Sequence, residues 1–199
     1  MKCLLKARAC LFQNSQRFHT RMNEERKEGL TLLFENTIRK HFELDPNPSN
    51  NASRQVKGFC FSRVTPTPLD NPRIGALSSS ALKLIGLDAK DITVSEESKK
   101  RFAEYMCGNS LMPGSEPFSH NYCGHQFGYF AGQLGDGRAI SIGDVLHEGR
   151  RWEVQLKGAG KTPYSRKADG RAVLRSSIRE FLCSEAMHYL SKHLFILKH

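Results

Sequence analysis

Two hydrophobic periods run through this chain, and together they predict helices around one strand pair. Leu30, Leu33, Phe34, Ile38 and Phe42 sit at helical spacing, which predicts a helix between Glu24 and Phe42. Gly58 to Val64 reads as a strand. Ser78 to Leu87 reads as a short helix closing on Gly86. Ser95 stands where it can cap a helix from Glu96 to Cys107, with Gly108 just past its end. From Arg138 to Val145, Ile140 and Ile142 alternate with Ser141 and Gly143. From Arg151 to Gly158, Trp152, Val154 and Leu156 alternate with Glu153, Gln155 and Lys157. Alternation of this kind is the mark of a half-buried strand, and the short turn between the two runs predicts a β-hairpin. Ala172 to Leu190 contains no Gly or Pro, and Leu174, Ile178, Phe181, Leu182, Tyr189 and Leu190 form one apolar stripe. Glu180 falls opposite the centre of that stripe. Two breaker clusters, DPNPSNNAS from Asp45 and TPTPLDNPRIG from Thr65, predict a linker and a rigid extended connector.

Composition changes this picture little, but charge distribution changes it more. The 199 residues, 39% hydrophobic and 25% charged, suit one soluble domain. No apolar run approaches the roughly 20 residues that span a bilayer. The net charge of +10 divides into +5 over residues 1–21, −2 over 22–148 and +7 over 149–199. The last block therefore offers a basic surface to a polyanion. It has no aromatics interleaved among its arginines and no base-reading motif, which argues against nucleic acid. None of the six cysteines forms a C-x-x-C pair, so they read as reduced thiols. His120, His125 and Cys123 lack a fourth ligand, and a structural role is the better reading.

The candidate chemistry lies between Asn121 and Leu190. Gly128, Gly132, Gly135 and Gly137 fall within ten residues and are followed by Arg138. Glycine lets backbone N–H groups approach phosphate oxygens, although most glycine-rich turns are only turns. Lys157 shares the polar face of its strand with Glu153 and Gln155. It reads either as a solvated lysine or as one that reaches phosphates beside a glycine loop, as the β3 lysine of kinases does. Glu180 reads either as a water-facing helix residue or as the carboxylate that holds Lys157 extended.

The segments NYCGHQFGYFAGQLGDGR, WEVQLKGAGKTPYSRKADGRAVLRSSIRE and SEAMHYL closely resemble the selenoprotein O family of kinase-like protein adenylyltransferases. The resemblance runs from about Pro66 to Leu190. It implies an α+β fold, the small lobe of a kinase with an antiparallel sheet and packed helices. It implies ATP bound in a flipped orientation and AMP transferred to protein Ser, Thr or Tyr hydroxyls. The family's nucleotide contacts fall on Gly135, Gly137, Arg138, Lys157, Asp169 and Gly170, and its helix glutamate falls on Glu180.

The first 21 residues carry five bases and no acid, and Leu4, Leu5, Leu11 and Phe12 allow an amphipathic helix. That suits a mitochondrial transit peptide, in agreement with the resemblance, the alternative being a basic irregular start. The expected organisation is a transit peptide (1–21), an N-terminal helix and linker (22–65), a nucleotide-binding lobe (66–190) and a divergent tail (191–199). After Leu190 the resemblance stops. The family's catalytic aspartate, the Asn and Asp that hold Mg2+, and its large lobe match nothing in the sequence. The expectation is an ATP-binding chain with no catalytic base or metal ligand of its own and little or no transferase activity alone. A non-catalytic pseudokinase fragment and a γ-phosphoryl-transferring enzyme are the alternatives.

Overall fold

A computed structural model describes residues 4–10, 30–47 and 51–190. The rest of the proposed leader, the first turns of the 24–42 helix and the tail from Ser191 lie outside the described residues. The architecture is α+β, as expected. Its centre is a hairpin of β6 (Ala139–His147) and β7 (Arg150–Lys157), turned by Glu148 and Gly149 at φ 49° and 73°. Two positive φ values are what a type I′ hairpin turn requires. The sheet grows outward antiparallel from this pair. β3 (Phe118–His120) and then β2 (Phe61–Arg63) lie beyond β6, and β1 (Leu4–Cys10) lies beyond β7.

One face of the sheet carries the core. Ile140, Ile142, Trp152, Val154 and Leu156 meet Leu82, Ile85, Ile92, Phe102 and Met106 from three helices. These helices are α2 (Ser79–Leu84), α3 (Ala89–Thr93) and α4 (Glu96–Cys107). The Ser78 and Ser95 side chains cap α2 and α4 by accepting from Ala81 N–H and Ser98 N–H. Gly108 ends α4 at φ 84°, as its position after the helix predicts. Asp88 caps α3, a helix too short for periodicity to reveal.

The N-terminal expectations need correction. Residues 4–10 are a strand and not part of an amphipathic helix, registered from Leu4 opposite Lys157 to Cys10 opposite Arg151. The helix expected up to Phe42 survives only as α1 (Thr37–His41). Its predecessor residues are drawn onto the sheet instead. A β-bulge between Ser141 and Gly143 opens room there, and Phe34 bridges to Val145. Asp144 accepts from Thr37 N–H at 2.7 Å and pairs with Arg151, which also holds Glu35. Burial alone would lower the Arg151 pKa, but the two carboxylates more than offset it.

Candidate functional site

A second hairpin precedes the sheet's central pair. It consists of β4 (Cys123–Gln126) and β5 (Tyr129–Gln133), in the stretch the sequence suggested as a glycine-rich turn. Phe127 and Gly128 form its tip at φ 53° and 86°. Phe127 is 91% exposed. The hairpin is tied down at its base, where Gln133 accepts from Val56 N–H and donates to the Arg54 carbonyl.

Beyond the hairpin the chain turns through Gly135 and Gly137 into β6. These glycines are required by what lies beneath them. A Cβ on Gly135 would stand 2.5 Å from Tyr164 Cγ, and one on Gly137 would stand 2.9 Å from the Tyr164 carbonyl oxygen. Tyr164 and Ser165 are buried in the loop that leaves β7. Thr162 Oγ1 donates to the Asp136 carbonyl at 2.7 Å, and Ser165 Oγ donates to that of Gly137. The two loops are thus bonded backbone to side chain along their length. Gly170, at φ 75°, passes so close to Gly160 that a Cβ would sit 2.2 Å from its carbonyl oxygen.

Between hairpin and loop lies a cavity of about 390 Å³. Four of the predicted site residues line it: Gly135, Gly137, Arg138 and Gly170. Arg166, Arg171 and Tyr122 line it as well and were not foreseen as contacts. Arg171 belongs to a second Asp-Gly-Arg turn, which was the available signal; Arg166 carried none. Among the described residues none of the three arginines forms an ion pair. Arg171 donates to the backbone carbonyls of Thr67 and Pro68, and Arg166 donates to the neutral Gln126 amide. Among the described residues no carboxylate lines the cavity. Three guanidiniums facing a space free of acids create a field suited to an anion.

Lys157 and Asp169 do not line this cavity. Lys157 ends β7 immediately beside it, and the next residue, Gly158, donates its N–H to the Arg138 carbonyl at 2.7 Å. The Lys157 ammonium is paired with the carboxylate of Glu180 on α5 (Leu174–Leu190). Their side chains are 18% and 22% exposed. For Glu180 the structure shows the pairing reading and not the water-facing one. Asp169 instead folds back on its own turn, where its carboxylate accepts from Arg171 N–H at 2.9 Å. It shapes the backbone at Gly170.

α5 is a helix as predicted, but its apolar stripe does not face the core. Leu174, Ile178, Leu182, Tyr189 and Leu190 are exposed, whereas Ser177 and Ser184 are buried. His120 is partly buried and His125 is exposed. His120 lies between Phe61 and Phe118 with Nε2 3.2 Å from Glu153, and His125 meets Phe130 edge to face. Cys60, Cys107, Cys123 and Cys183 are free, and burial raises the Cys107 thiol pKa.

The sequence is similar to those of known proteins. The family described as "Protein adenylyltransferase SelO" matches residues 49–193. A human protein, "Protein adenylyltransferase SelO, mitochondrial", is 59% identical over 146 residues. That alignment covers 73% of this chain and 21% of the human one. A zebrafish (Danio rerio) relative, "Protein adenylyltransferase SelO-1, mitochondrial", is 54% identical over 171 residues, covering 80% of this chain and 24% of its own. The bacterial "Protein nucleotidyltransferase YdiU" of Aromatoleum aromaticum is 55% identical over 165 residues, covering 80% and 30%. The chain thus spans about a quarter of the length of these relatives. By its sequence and by the region matched, it belongs to the SelO family of protein adenylyltransferases.

Proposed function

We propose that this chain is the nucleotide-binding part of an ATP-dependent protein adenylyltransferase. The observation that carries the reading is the cavity bordered by Gly135, Gly137, Arg138 and Gly170, which no carboxylate of the described residues lines, next to the end of β7 that carries the Lys157–Glu180 pair. In the complete reaction a protein Ser, Thr or Tyr hydroxyl attacks the α-phosphate of ATP, its proton is taken up, and pyrophosphate leaves. The residues here contribute binding and charge. Arg138 and Lys157 offset the triphosphate, Gly135, Gly137 and Gly170 let it approach the backbone, and Asp169 fixes the turn at Gly170. Glu180 keeps the Lys157 amine extended instead of free to wander. Positioning and charge neutralisation account for most of the catalysis of such transfers.

Magnesium does not fit the described residues. Among them no three His, Cys, Asp or Glu side chains stand together as a metal site would need. Our reading is that these 199 residues hold ATP and that the transfer needs groups beyond them. The binding lobe is built on residues 66–190, with the kinase-like small-lobe arrangement, and its sheet takes β2 and β1 from the segments before them. The relatives in zebrafish and human are named mitochondrial, and the acid-free leader suits the same destination here.

The test is to incubate the full chain with α-labelled or γ-labelled ATP and a protein acceptor. Saturable ATP binding that Lys157→Ala weakens at least tenfold, without label on protein, supports the reading. Robust α-label transfer overturns the claim that binding alone resides here. Transfer of γ-label overturns adenylyl chemistry in favour of a kinase. Absence of ATP binding overturns the reading altogether.

A further inference from the structure

Arg166 closes the cavity in a way that the predicted contacts leave unused. It is exposed and lies on the loop between β7 and α5. Its Nη2 donates to Gln126 Oε1 at 2.9 Å, and Gln126 sits at the end of β4, next to the hairpin tip. Both residues line the cavity, so this bond crosses from one wall to the other. It is a charged donor given to a neutral amide, and among the described residues no carboxylate competes for it. A guanidinium gains considerably more from a phosphate oxygen than from an amide oxygen, because the former bond is assisted by charge on both sides and can be bidentate. The bond to Gln126 is therefore one that an entering polyphosphate can displace.

Resting on the reading of the cavity as a nucleotide site, we propose that Arg166 is a polyphosphate-selecting residue. In the empty site it latches the hairpin through Gln126. In the filled site it turns its guanidinium onto a phosphate oxygen of the substrate. It thereby favours a triphosphate over a monophosphate, and the Gln126 amide it leaves behind stays open to water at the cavity mouth.

The test measures affinities of the full chain for ATP, AMP and inorganic triphosphate by calorimetry, for the wild type and for Arg166→Ala, Arg166→Lys and Gln126→Ala. Loss of one charge-assisted contact predicts that Arg166→Ala weakens ATP about ten- to a hundredfold while changing AMP by less than about twofold. Arg166→Lys restores part of the loss, because it keeps the charge without the fork. Gln126→Ala frees the guanidinium and raises ATP affinity. An equal loss of ATP affinity in Arg166→Ala and Gln126→Ala would mean that the latch is only a structural tie and overturns the proposal. So does an unchanged ATP-to-AMP preference in Arg166→Ala. Failure of the nucleotide reading looks different: the wild type then binds inorganic triphosphate but not ATP, and Arg166→Ala still abolishes the former. A wild type that binds neither overturns both.

Discussion

The β6–β7 hairpin and α5 obey opposite rules. The hairpin buries its central apolar side chains, with Val154 and Leu156 at 0% exposure, and turns its polar ones to the other face. α5 does the reverse, with Leu182 at 60% exposure and Ser177 at 5%. Both carry a clear apolar periodicity, yet only one uses it within the described residues. What holds α5 is specific and polar: the ion pair between Glu180 and Lys157, and close contact at its start. A Cβ on Gly158 would lie 2.3 Å from Ala172 Cβ, so the chain enters the helix hard against the end of β7. A helix tied to the end of β7 by an ion pair, with its apolar face turned outward, depends on that pair for its placement.

The sharpest test of this contrast is a matched truncation. Leu156→Ala removes a fully buried side chain and is expected to destabilise the fold by about 2–5 kcal/mol. Leu182→Ala, the same chemical change on the exposed face of α5, is expected to stay within about 0.5 kcal/mol. Urea unfolding followed by the fluorescence of Trp152, the sole tryptophan and 3% exposed, measures both. Equal losses would show that α5 buries its stripe in solution and would erase the difference between the regions.

Next in size is Gly170→Ala, which acts where the site and the start of α5 meet. Left-handed strain alone costs about 1–3 kcal/mol, and the 2.2 Å approach to the Gly160 carbonyl adds to it. We expect ATP affinity to fall further than stability does, since the 160–170 loop must shift away from the cavity. A variant with normal stability and normal ATP affinity would show that this close approach does not shape the site.

These contrasts also mark what was legible in the sequence. The hairpin, the capped helix α4 and the Lys157–Glu180 pair were readable because each rests on local periodicity, a cap or a motif resemblance. The orientation of α5 was not. Its stripe says that an apolar face exists, but which face meets the sheet is decided by Lys157 and by the crowding at Gly158. Both act across the fold. The strand at Leu4–Cys10 escaped for a related reason: strand pairing depends on the free edge of β7 and not on the leader's own pattern. Asp169 was readable as part of a turn. Its carboxylate bonds to Arg171 N–H, a local interaction that motif position alone could not distinguish from a ligand contact.

A smaller effect separates the two regions by pH. Near the sheet edge, Asp45 pairs with Arg54 and accepts from Ser62 Oγ, and Ser62 in turn meets the Tyr164 hydroxyl at 2.7 Å. Burial alone would raise the Asp45 pKa, but hydrogen bonds from Asn47 N–H, Arg54 and Ser62 outweigh it and hold the carboxyl below its ordinary value. A folded pKa below the unfolded one means that stabilisation is complete above the unfolded value, near 3.9, and is lost as pH falls through the folded value. Asp45→Asn should therefore flatten the acid limb of the stability curve below about pH 4 and lower the plateau above it. An acid limb identical to that of the wild type would remove Asp45 from the ties that seat the Tyr164 loop.

The smallest expected change lies on the inward face of α5. Ser177 Oγ is buried and has no hydrogen-bond partner among the described residues. A buried hydroxyl without a partner carries its desolvation penalty uncompensated, so removing it relieves that penalty. Ser177→Ala should be neutral or stabilising, by up to about 1 kcal/mol, and should raise helix propensity at the same position. Leu156→Ala and Ser177→Ala would then move stability in opposite directions, although each makes a buried side chain smaller. A clear loss of stability in Ser177→Ala would show that the hydroxyl is bonded in solution and would make it a further polar anchor of α5.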